Sequence, residues 1–259
     1  MNKVLVAIPT YNCETQITRV LDEIDNNKAE RVTEIAVIDN GSTDKTVAAA
    51  LAYKKTGRLK NLHIYKNLAN YNLGGTHKVA FLRAKQQNYS HVIILHGDNQ
   101  AKSDEINLLL DYAEAHPKNQ TVLGSRFSKG SKLVGYDWKR IFGNRVLNFV
   151  YTITTFRKCE DLGSGLNLFA LSDLDENTYL DFADKLTFNF ELLLDLIKRQ
   201  INFAYVPITW REEDQISNAR NFNIAKIAFI NLIQWRFSSN QIRQAQHSTK
   251  DYRCEEVLA

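Results

Sequence analysis

Short apolar runs alternate with helically spaced apolar positions through the first half of the chain. Residues 4–8 read Val-Leu-Val-Ala-Ile, residues 35–38 Ile-Ala-Val-Ile, and residues 92–95 Val-Ile-Ile-Leu. Runs this short, rich in β-branched residues and closed by polar turns, predict buried strands. Residues 14–24 have helical spacing, a second helix is expected after Thr43, and residues 62–65 form a weaker strand candidate. Asn72-Leu73-Gly74-Gly75 breaks the pattern, and residues 76–87 read as the helix that follows. Ser103 predicts the cap of a helix over 103–115, with Asp104 and Glu105 complementing its dipole and Pro117 beyond its end. Residues 122–127 complete the series as a strand. Strand and helix in alternation predict βαβ units and an α/β fold with a mainly parallel central sheet flanked by helices.

The second half is less regular. Residues 139–155 mix aromatic, aliphatic and basic side chains at roughly helical spacing, 166–171 are strand-like, and 188–199 have the spacing of an amphipathic helix. Residues 205–210 contain Pro207, which cannot donate to a central ladder, so an edge strand is expected there. Residues 222–237 predict a strongly apolar helix, and beyond Ser238 the chain turns polar and is expected to fray. The resulting division is a single α/β domain over 1–220, an apolar helix over 221–238 and a polar tail over 239–259.

The candidate chemistry lies where the apolar runs stop, because open α/β sheets bind ligands at the carboxyl ends of their strands. The first run ends in Pro9, Thr10, Tyr11 and Asn12, with Glu14 beyond. The second ends in Asp39, Asn40, Gly41 and Ser42, and the third in His96, Gly97, Asp98, Asn99 and Gln100. Asp98 and Gln100 are two apart, so an extended segment points both oxygens the same way. That arrangement suits a hard cation, Mg²⁺ or Mn²⁺, bridging protein and phosphate oxygens. Asp39 and Asp98 each have a plainer reading as turn or cap residues. Gly74, Gly75, Thr76, His77 and Lys78 open a helix where backbone N–H groups and a lysine would meet a phosphate. This stretch lacks the Walker spacing, and an ordinary turn is its competing description.

Composition narrows the classes. At 259 residues and 44% hydrophobic, the chain has enough apolar material for one large core. Three widely spaced cysteines, Cys13, Cys159 and Cys254, predict neither a disulfide framework nor a zinc site. No signal-peptide pattern and no run of spanning length is visible, so a cytoplasmic protein is expected, with a peripheral place on the inner face of the membrane. A formal charge of +4 without a basic and aromatic stripe argues against nucleic acid. One local excess, Lys129, Lys132, Lys139, Arg140 and Arg145 beside Tyr136 and Trp138, fits a solvated face or a patch for phosphate or anionic lipid.

Taken in order, Pro9-Thr10-Tyr11-Asn12, Asp39-Asn40-Gly41-Ser42-Thr43-Asp44 and His96-Gly97-Asp98-Asn99-Gln100 resemble the nucleotide-sugar half of family-two glycosyltransferases with the GT-A fold. Gly124-Ser125-Arg126, Asp161-Leu162-Gly163-Ser164-Gly165-Leu166 and Pro207-Ile208-Thr209-Trp210 are similar to segments of the dolichyl- and polyprenyl-phosphate mannose synthases. The resemblance runs from about Val4 to Ser217. It implies a nucleoside-diphosphate sugar donor lying against Pro9, Thr10, Tyr11, Asn12, Glu14, Asp39, Gly97 and Asp98, with Lys78 as a secondary donor contact. It also implies a metal on Asp98 and Gln100, and His96 stands where the family has the first aspartate of its D-x-D run. An imidazole suits Mn²⁺ better than Mg²⁺, so this departure either shifts metal preference or removes a ligand. Asn40 replaces the family's second aspartate.

For the acceptor half the resemblance singles out Arg126, Arg140, Asn144 and Asp161. The arginine forks suit a polyprenyl phosphate, and Asp161 would be the general base if the acceptor were a hydroxyl. A turn aspartate is the alternative for Asp161. Glu212 holds the family's late arginine position, with Arg211 and Arg220 near enough to take over a diphosphate contact. The expected activity is inverting sugar transfer to a polyprenyl phosphate. The alternatives are transfer to a glycan hydroxyl in cell-surface polysaccharide synthesis, or a catalytically impaired nucleotide-sugar-binding subunit. The helix over 222–237, with Trp235 at its boundary and Lys226 and Arg236 toward headgroups, is expected at the membrane interface; a packing helix or a homo-oligomer contact would have the same composition.

Overall fold

The computed structural model of the protein describes residues 3–26, 31–212, 221–237 and 250–258. In chain order the elements are β1 (Val4–Thr10), α1 (Ile17–Asn26), β2 (Glu34–Asp39), α2 (Thr46–Lys55), β3 (Leu62–Asn67), α3 (Asn72–Gln86), β4 (His91–Leu95), α4 (Ile106–Ala115) and β5 (Thr121–Ser125). There follow β6 (Lys132–Val134), α5 (Trp138–Thr155), β7 (Leu166–Ala170), α6 (Glu176–Tyr179), α7 (Phe188–Lys198), β8 (Phe203–Pro207), β9 (Thr209–Arg211), α8 (Asn221–Phe237) and β10 (Cys254–Glu256).

Eight strands form one sheet in the order β10-β3-β2-β1-β4-β7-β5-β8, and β6 pairs with β9 in a small second sheet. Pairings among β1, β2, β3 and β4 are parallel, as is β5 with β8, whereas β7 runs antiparallel to both β4 and β5. Strands buried on both faces read as continuous apolar runs, which is why residues 4–8, 35–38 and 92–95 show no polar alternation. Their side chains still divide by twos. Leu5, Ala7, Ala36, Ile38, Val92 and Ile94 join a core with α3 and α7. Val4, Val6, Ile8, Ile35, Val37 and Ile93 join the opposite core with α1 and α4. The β3-β2-β1-β4 order reverses direction between β1 and β4, so a crevice opens beyond the carboxyl ends of those two strands.

Several local expectations are corrected. Gly74 and Gly75 do not break α3 but lie in its first turns, where a Cβ on Gly74 would fall 2.6 Å from the Ala183 carbonyl oxygen. These glycines therefore permit a close helix–loop approach. Ser103 opens a short 3₁₀ turn ahead of α4, and its Oγ has no hydrogen-bond partner, so it is not a side-chain cap. Pro207 ends β8, the outermost strand beside β5, in keeping with the edge expected of it. The end of the chain is not uniformly a frayed tail: β10 pairs antiparallel with β3 and Tyr252 is buried.

Candidate functional site

Thr10 and Asp39 lie side by side at the ends of β1 and β2, and the loop after β4 folds back over them. The Gly97 N–H donates to the Pro9 carbonyl at 3.0 Å. A Cβ on Gly97 would lie 2.4 Å from Thr10 Cγ2, so only glycine allows this approach. Asn12 and Asn99 hold φ of 53° and 59°, a left-handed backbone that asparagine tolerates better than most residues. Asn12 Oδ1 accepts from the Thr43 N–H at 2.9 Å, and Glu14 accepts from the Lys45 N–H at 3.2 Å, which ties the first loop to the second. Asp39 is fully buried and accepts from the N–H groups of Gly41 (3.0 Å) and Ser42 (3.1 Å), so in this structure it shapes its own turn.

Asp98 stands at the mouth of the crevice and accepts from the Gln100 N–H at 3.1 Å. Among the described residues no three His, Cys, Asp or Glu side chains gather into a metal site. Asp98 and Gln100 supply oxygen donors of the kind Mg²⁺ or Mn²⁺ takes. The segment is not extended as expected: residues 97–99 form a turn with Asn99 at φ 59°, so the two-residue spacing does not by itself align the two side chains, and they would serve a cation only as partial ligands beside diphosphate oxygens and water. The ligand role expected of His96 is not what the arrangement supports. Its Nε2 lies 3.3 Å from His77 Nε2, and its Nδ1 faces Gly165, where a Cβ would fall 2.9 Å away. Nε2 is therefore engaged with His77 and not free for a metal.

Two imidazoles in this contact share one proton and cannot both be charged. Burial holds His77 well below the ordinary histidine value, with His96 adding to the effect. Burial lowers His96 too, opposed by Asp98 and reinforced by Arg126. The folded state keeps both neutral, so below about pH 6.5 the unfolded chain binds protons first and stability falls as pH falls. Each such histidine contributes at most about 1.4 kcal/mol per pH unit in that window. Urea unfolding between pH 7.5 and 5.5 is expected to show this loss and His77→Gln a shallower one; a flat profile in the native protein would reject the neutral pair.

The acceptor-side candidates come together, but paired. Arg126 grips Asp161 through Nε (2.8 Å) and Nη2 (2.7 Å), its backbone N–H adds a third bond at 2.9 Å, and Nη2 also reaches the Gly163 carbonyl. Burial by itself would lower the Arg126 pKa, but Asp161 raises it. Asp161 is buried, and its oxygens are taken by Arg126 and the Gly163 N–H, so it is not the free general base considered for it. The Arg126 guanidinium stacks 5.0 Å from the Trp210 ring. Arg140 is also paired, its Nη1 donating to both carboxylate oxygens of Glu212 at 2.7 and 2.6 Å, and it covers the Tyr136 ring. Asn144 donates to Tyr136 Oη and to the Arg140 carbonyl.

Arg211 is not the free phosphate arm expected of it. Its guanidinium bonds Glu23 (2.8 and 3.1 Å) and Asn99 Oδ1 (3.0 Å), while its N–H donates to the Gln100 carbonyl. It thus buttresses the Asp98 loop from behind. Arg220 lies outside the described residues. Lys78 is corrected outright: it is buried, and its Nζ bonds Asp184 at 2.7 Å, the Leu180 and Phe182 carbonyls and Tyr252 Oη, away from the crevice.

Two residues organise the site in roles that the sequence did not indicate. Asn40 accepts from Asn67 Nδ2 and the Tyr71 N–H and donates to Asn70, so its amide carries a donor that an aspartate in its place would lack. His77 belongs to the stretch expected to open a helix toward a phosphate or to form an ordinary turn. Its partnership with His96 links positions nineteen residues apart and leaves no local signature.

Comparison with known proteins agrees with this geometry. The model of glycosyl transferase family 2 matches residues 5–176, more than half of the chain and all three strand-end loops. The chain belongs to glycosyl transferase family 2. It is 25% identical over 236 residues to the undecaprenyl-phosphate 4-deoxy-4-formamido-L-arabinose transferase of Proteus mirabilis (strain HI4320), covering 90% of this chain and 65% of that protein. It is also 25% identical over 224 residues to the dolichyl-phosphate beta-glucosyltransferase of Dictyostelium discoideum, covering 81% and 66%. The chain thus spans just under two thirds of the length of these curated relatives. The glucosyl-3-phosphoglycerate synthase of Mycobacterium tuberculosis, in a crystal structure with Mn²⁺, uridine diphosphate and phosphoglyceric acid, superposes with a TM-score of 0.68 at 16% identity, covering 92% of this chain and 80% of that one. The likeness establishes the GT-A fold.

Proposed function

We propose that the chain is an inverting glycosyltransferase that moves a sugar from a nucleoside-diphosphate sugar to a polyprenyl phosphate. The observation that carries the choice of acceptor is the locked state of Asp161. A hydroxyl acceptor needs a base to take its proton, and the candidate carboxylate is held in a bidentate pair with Arg126. A phosphate acceptor is already ionised and needs none. The relatives named for undecaprenyl and dolichyl phosphate support the same class.

In this reading the donor lies across the ends of β1, β2 and β4. Tyr11, half-exposed beside Asn12, offers a face for the base, and the Pro9-Thr10 and Gly97 backbones form the floor. Asp98 and Gln100 would hold Mg²⁺ or Mn²⁺, a cation that would supply charge to stabilise a diphosphate leaving group. Arg126 and Arg140 would orient the acceptor phosphate through guanidinium N–H groups that their carboxylate partners do not use, so that Asp161 stays locked. Such an acceptor is confined to a bilayer, so the chain works peripherally, on the inner face of the membrane.

The test is transfer from a panel of nucleotide sugars, with Mg²⁺ or Mn²⁺, to a short-chain polyprenyl phosphate and to free glycans. Product is expected only with the phosphate acceptor and only with metal present. Binding of donor with no transfer to either acceptor would instead identify a nucleotide-sugar-binding subunit.

A further inference from the structure

After β9 the chain returns twice to the body of the fold. α8 packs on α5 and α7 through Ala228 and Leu232, and Trp235 donates its indole N–H to the Leu194 carbonyl. Trp235 is therefore spent on packing and is not the boundary residue expected from the sequence. The second return is the segment 250–257, which lies along the open edge of β3. Its strand β10 sets Cys254 opposite Asn67, Glu255 opposite Lys66 and Glu256 opposite Tyr65. The pairing runs past the strand at both ends, with the Leu68 N–H donating to the Arg253 carbonyl at 3.1 Å and the Val257 N–H to the Ile64 carbonyl at 2.8 Å. Covering an edge that would otherwise template other chains is a use in itself. The side chains of the segment do more than cover it.

Tyr252 turns inward and is buried. Its ring meets Tyr71 edge-on at 5.3 Å and lies under the Lys78 ammonium at 4.8 Å. Tyr252 Oη donates to Asp184 at 2.7 Å and accepts from Lys78 at 3.1 Å, and Lys250 reaches the other oxygen of Asp184 at 2.7 Å. This is the use the fold makes of the Gly74-Gly75-Thr76-His77-Lys78 stretch. A Cβ on Gly75 would fall 2.6 Å from Tyr71 Cβ and 3.3 Å from Tyr252 Cε1, so the absence of a side chain lets α3 seat both rings. Without Tyr252, Lys78 still keeps Asp184 and the Leu180 and Phe182 carbonyls. Unseating the segment would therefore strand no buried charge.

Tyr71 carries the contact toward the crevice. Its hydroxyl donates to the Asp251 carbonyl at 2.7 Å, and its backbone N–H donates to Asn40 Oδ1 at 2.8 Å. Asn67 Nδ2 donates to that same oxygen, Asn40 Nδ2 donates to Asn70, and the Asn40 N–H is tied to the Thr10 carbonyl at 2.9 Å. The Asn40 amide is thus spent inside the protein. It fixes the start of the turn in which Asp39 receives the Gly41 and Ser42 N–H groups. Residues 68–70 are exposed, so this short loop is anchored by Asn40 on one side and by residues 251–253 on the other. An exposed loop with few anchors opens locally when one of them is lost.

We infer that the segment 250–257 is a clasp and Tyr71 a positioning residue for the donor: the clasp seats Tyr71, Tyr71 seats Asn40, and Asn40 holds the turn after β2. The inference rests on the reading that a nucleoside-diphosphate sugar lies across the ends of β1, β2 and β4. It deepens that reading by naming distant residues that set the affinity for the diphosphate. Acting through the donor turn alone, the clasp changes donor binding and leaves the transfer step as it is.

Two changes in the full chain unseat the clasp by different routes. Tyr71→Phe keeps the ring against Tyr252 and deletes only the bond to the Asp251 carbonyl. Glu255→Pro deletes a ladder N–H, because Arg253 and Val257 bond to β3 and the alternation of an antiparallel pair turns the exposed Glu255 the same way. Each variant should raise hydrogen exchange at the amides of 40–43 and 68–71 by about ten-fold or more, with β1 and β4 unchanged. In calorimetry with uridine and guanosine diphosphates and Mn²⁺, each should weaken binding of the diphosphate that the native chain takes by about three- to ten-fold. Donor KM should rise by the same factor at unchanged kcat, a split that a general loss of stability would not give. Faster exchange confined to 62–68 and 250–257, or native diphosphate affinity in both variants, overturns the inference and leaves the donor reading standing. A native chain that binds neither diphosphate overturns the donor reading and this inference with it.

Discussion

Asp98→Ala is expected to lower metal-dependent transfer by on the order of 100-fold or more while leaving the protein folded. The carboxylate makes one hydrogen bond, to the Gln100 N–H, whose loss costs about 1 kcal/mol, whereas it is the one acidic side chain that the loop after β4 offers to a cation. The variant should bind the donor equally weakly with and without Mn²⁺ in calorimetry. If instead its donor affinity and metal dependence match the native protein, Asp98 is no more than a turn residue. The cation and the crevice must then meet elsewhere. Gln100→Ala is expected to have a smaller effect, because a neutral amide contributes less than a carboxylate to a hard cation.

The second large effect is on stability. Arg126 and Asp161 form a buried bidentate pair with side-chain exposures of 12% and 1%. Removing one partner from such a pair strands the other's charge, and the loss in comparable cases is about 3–5 kcal/mol. Arg126→Ala and Asp161→Ala should each lower the unfolding free energy by about that amount in urea titration. Asp161→Asn retains the shape and some of the hydrogen bonds, and should lose less. This result separates the positioning role from the catalytic one. A general base would be lost in Asp161→Asn at nearly unchanged stability, with the acidic limb of the rate profile gone. A positioning carboxylate would instead weaken the hold on the acceptor phosphate and raise its KM, leaving the shape of the pH profile alone.

Much of the donor half was legible because its signals are local. A parallel strand buried on both faces must be apolar throughout, and the chain must turn where the apolar run ends. Residues 9–12, 39–44 and 96–100 could therefore be placed on one sheet edge before any contact was known. The glycine at position 97 and the polar clusters around it also follow from a strand meeting a ligand crevice. The acceptor half was less legible for a physical reason. Its arginines were recognisable, but which carboxylate each would grip depends on segments far away in sequence: Arg126 with Asp161, Arg140 with Glu212, and Arg211 with Glu23.

Lys78 shows the same limit. At the start of a helix, beside two glycines, a lysine is a reasonable phosphate ligand, and nothing within the helix indicates the opposite orientation. Its burial is set by the 180–184 loop and by Tyr252, 174 residues away, which together supply four oxygen partners for one ammonium. The same holds for residues 250–258, polar by composition yet partly ordered by the open edge of β3. Residues 138–156 are the converse case. Helical spacing was visible there, but both sides of the helix carry apolar residues, so periodicity could not say which side is inside.

The amino-acid sequence by itself determined the α/β class, the parallel strands, the three polar strand ends and the family they resemble, because burial on both faces and helical periodicity act over a few residues. Only the tertiary structure decided that His96 faces His77, that the arginines are paired, that Lys78 is buried and which side of α5 meets solvent. Each of these depends on which surfaces distant segments bring together, and a side chain's partners are chosen by that packing, not by its neighbours in the chain.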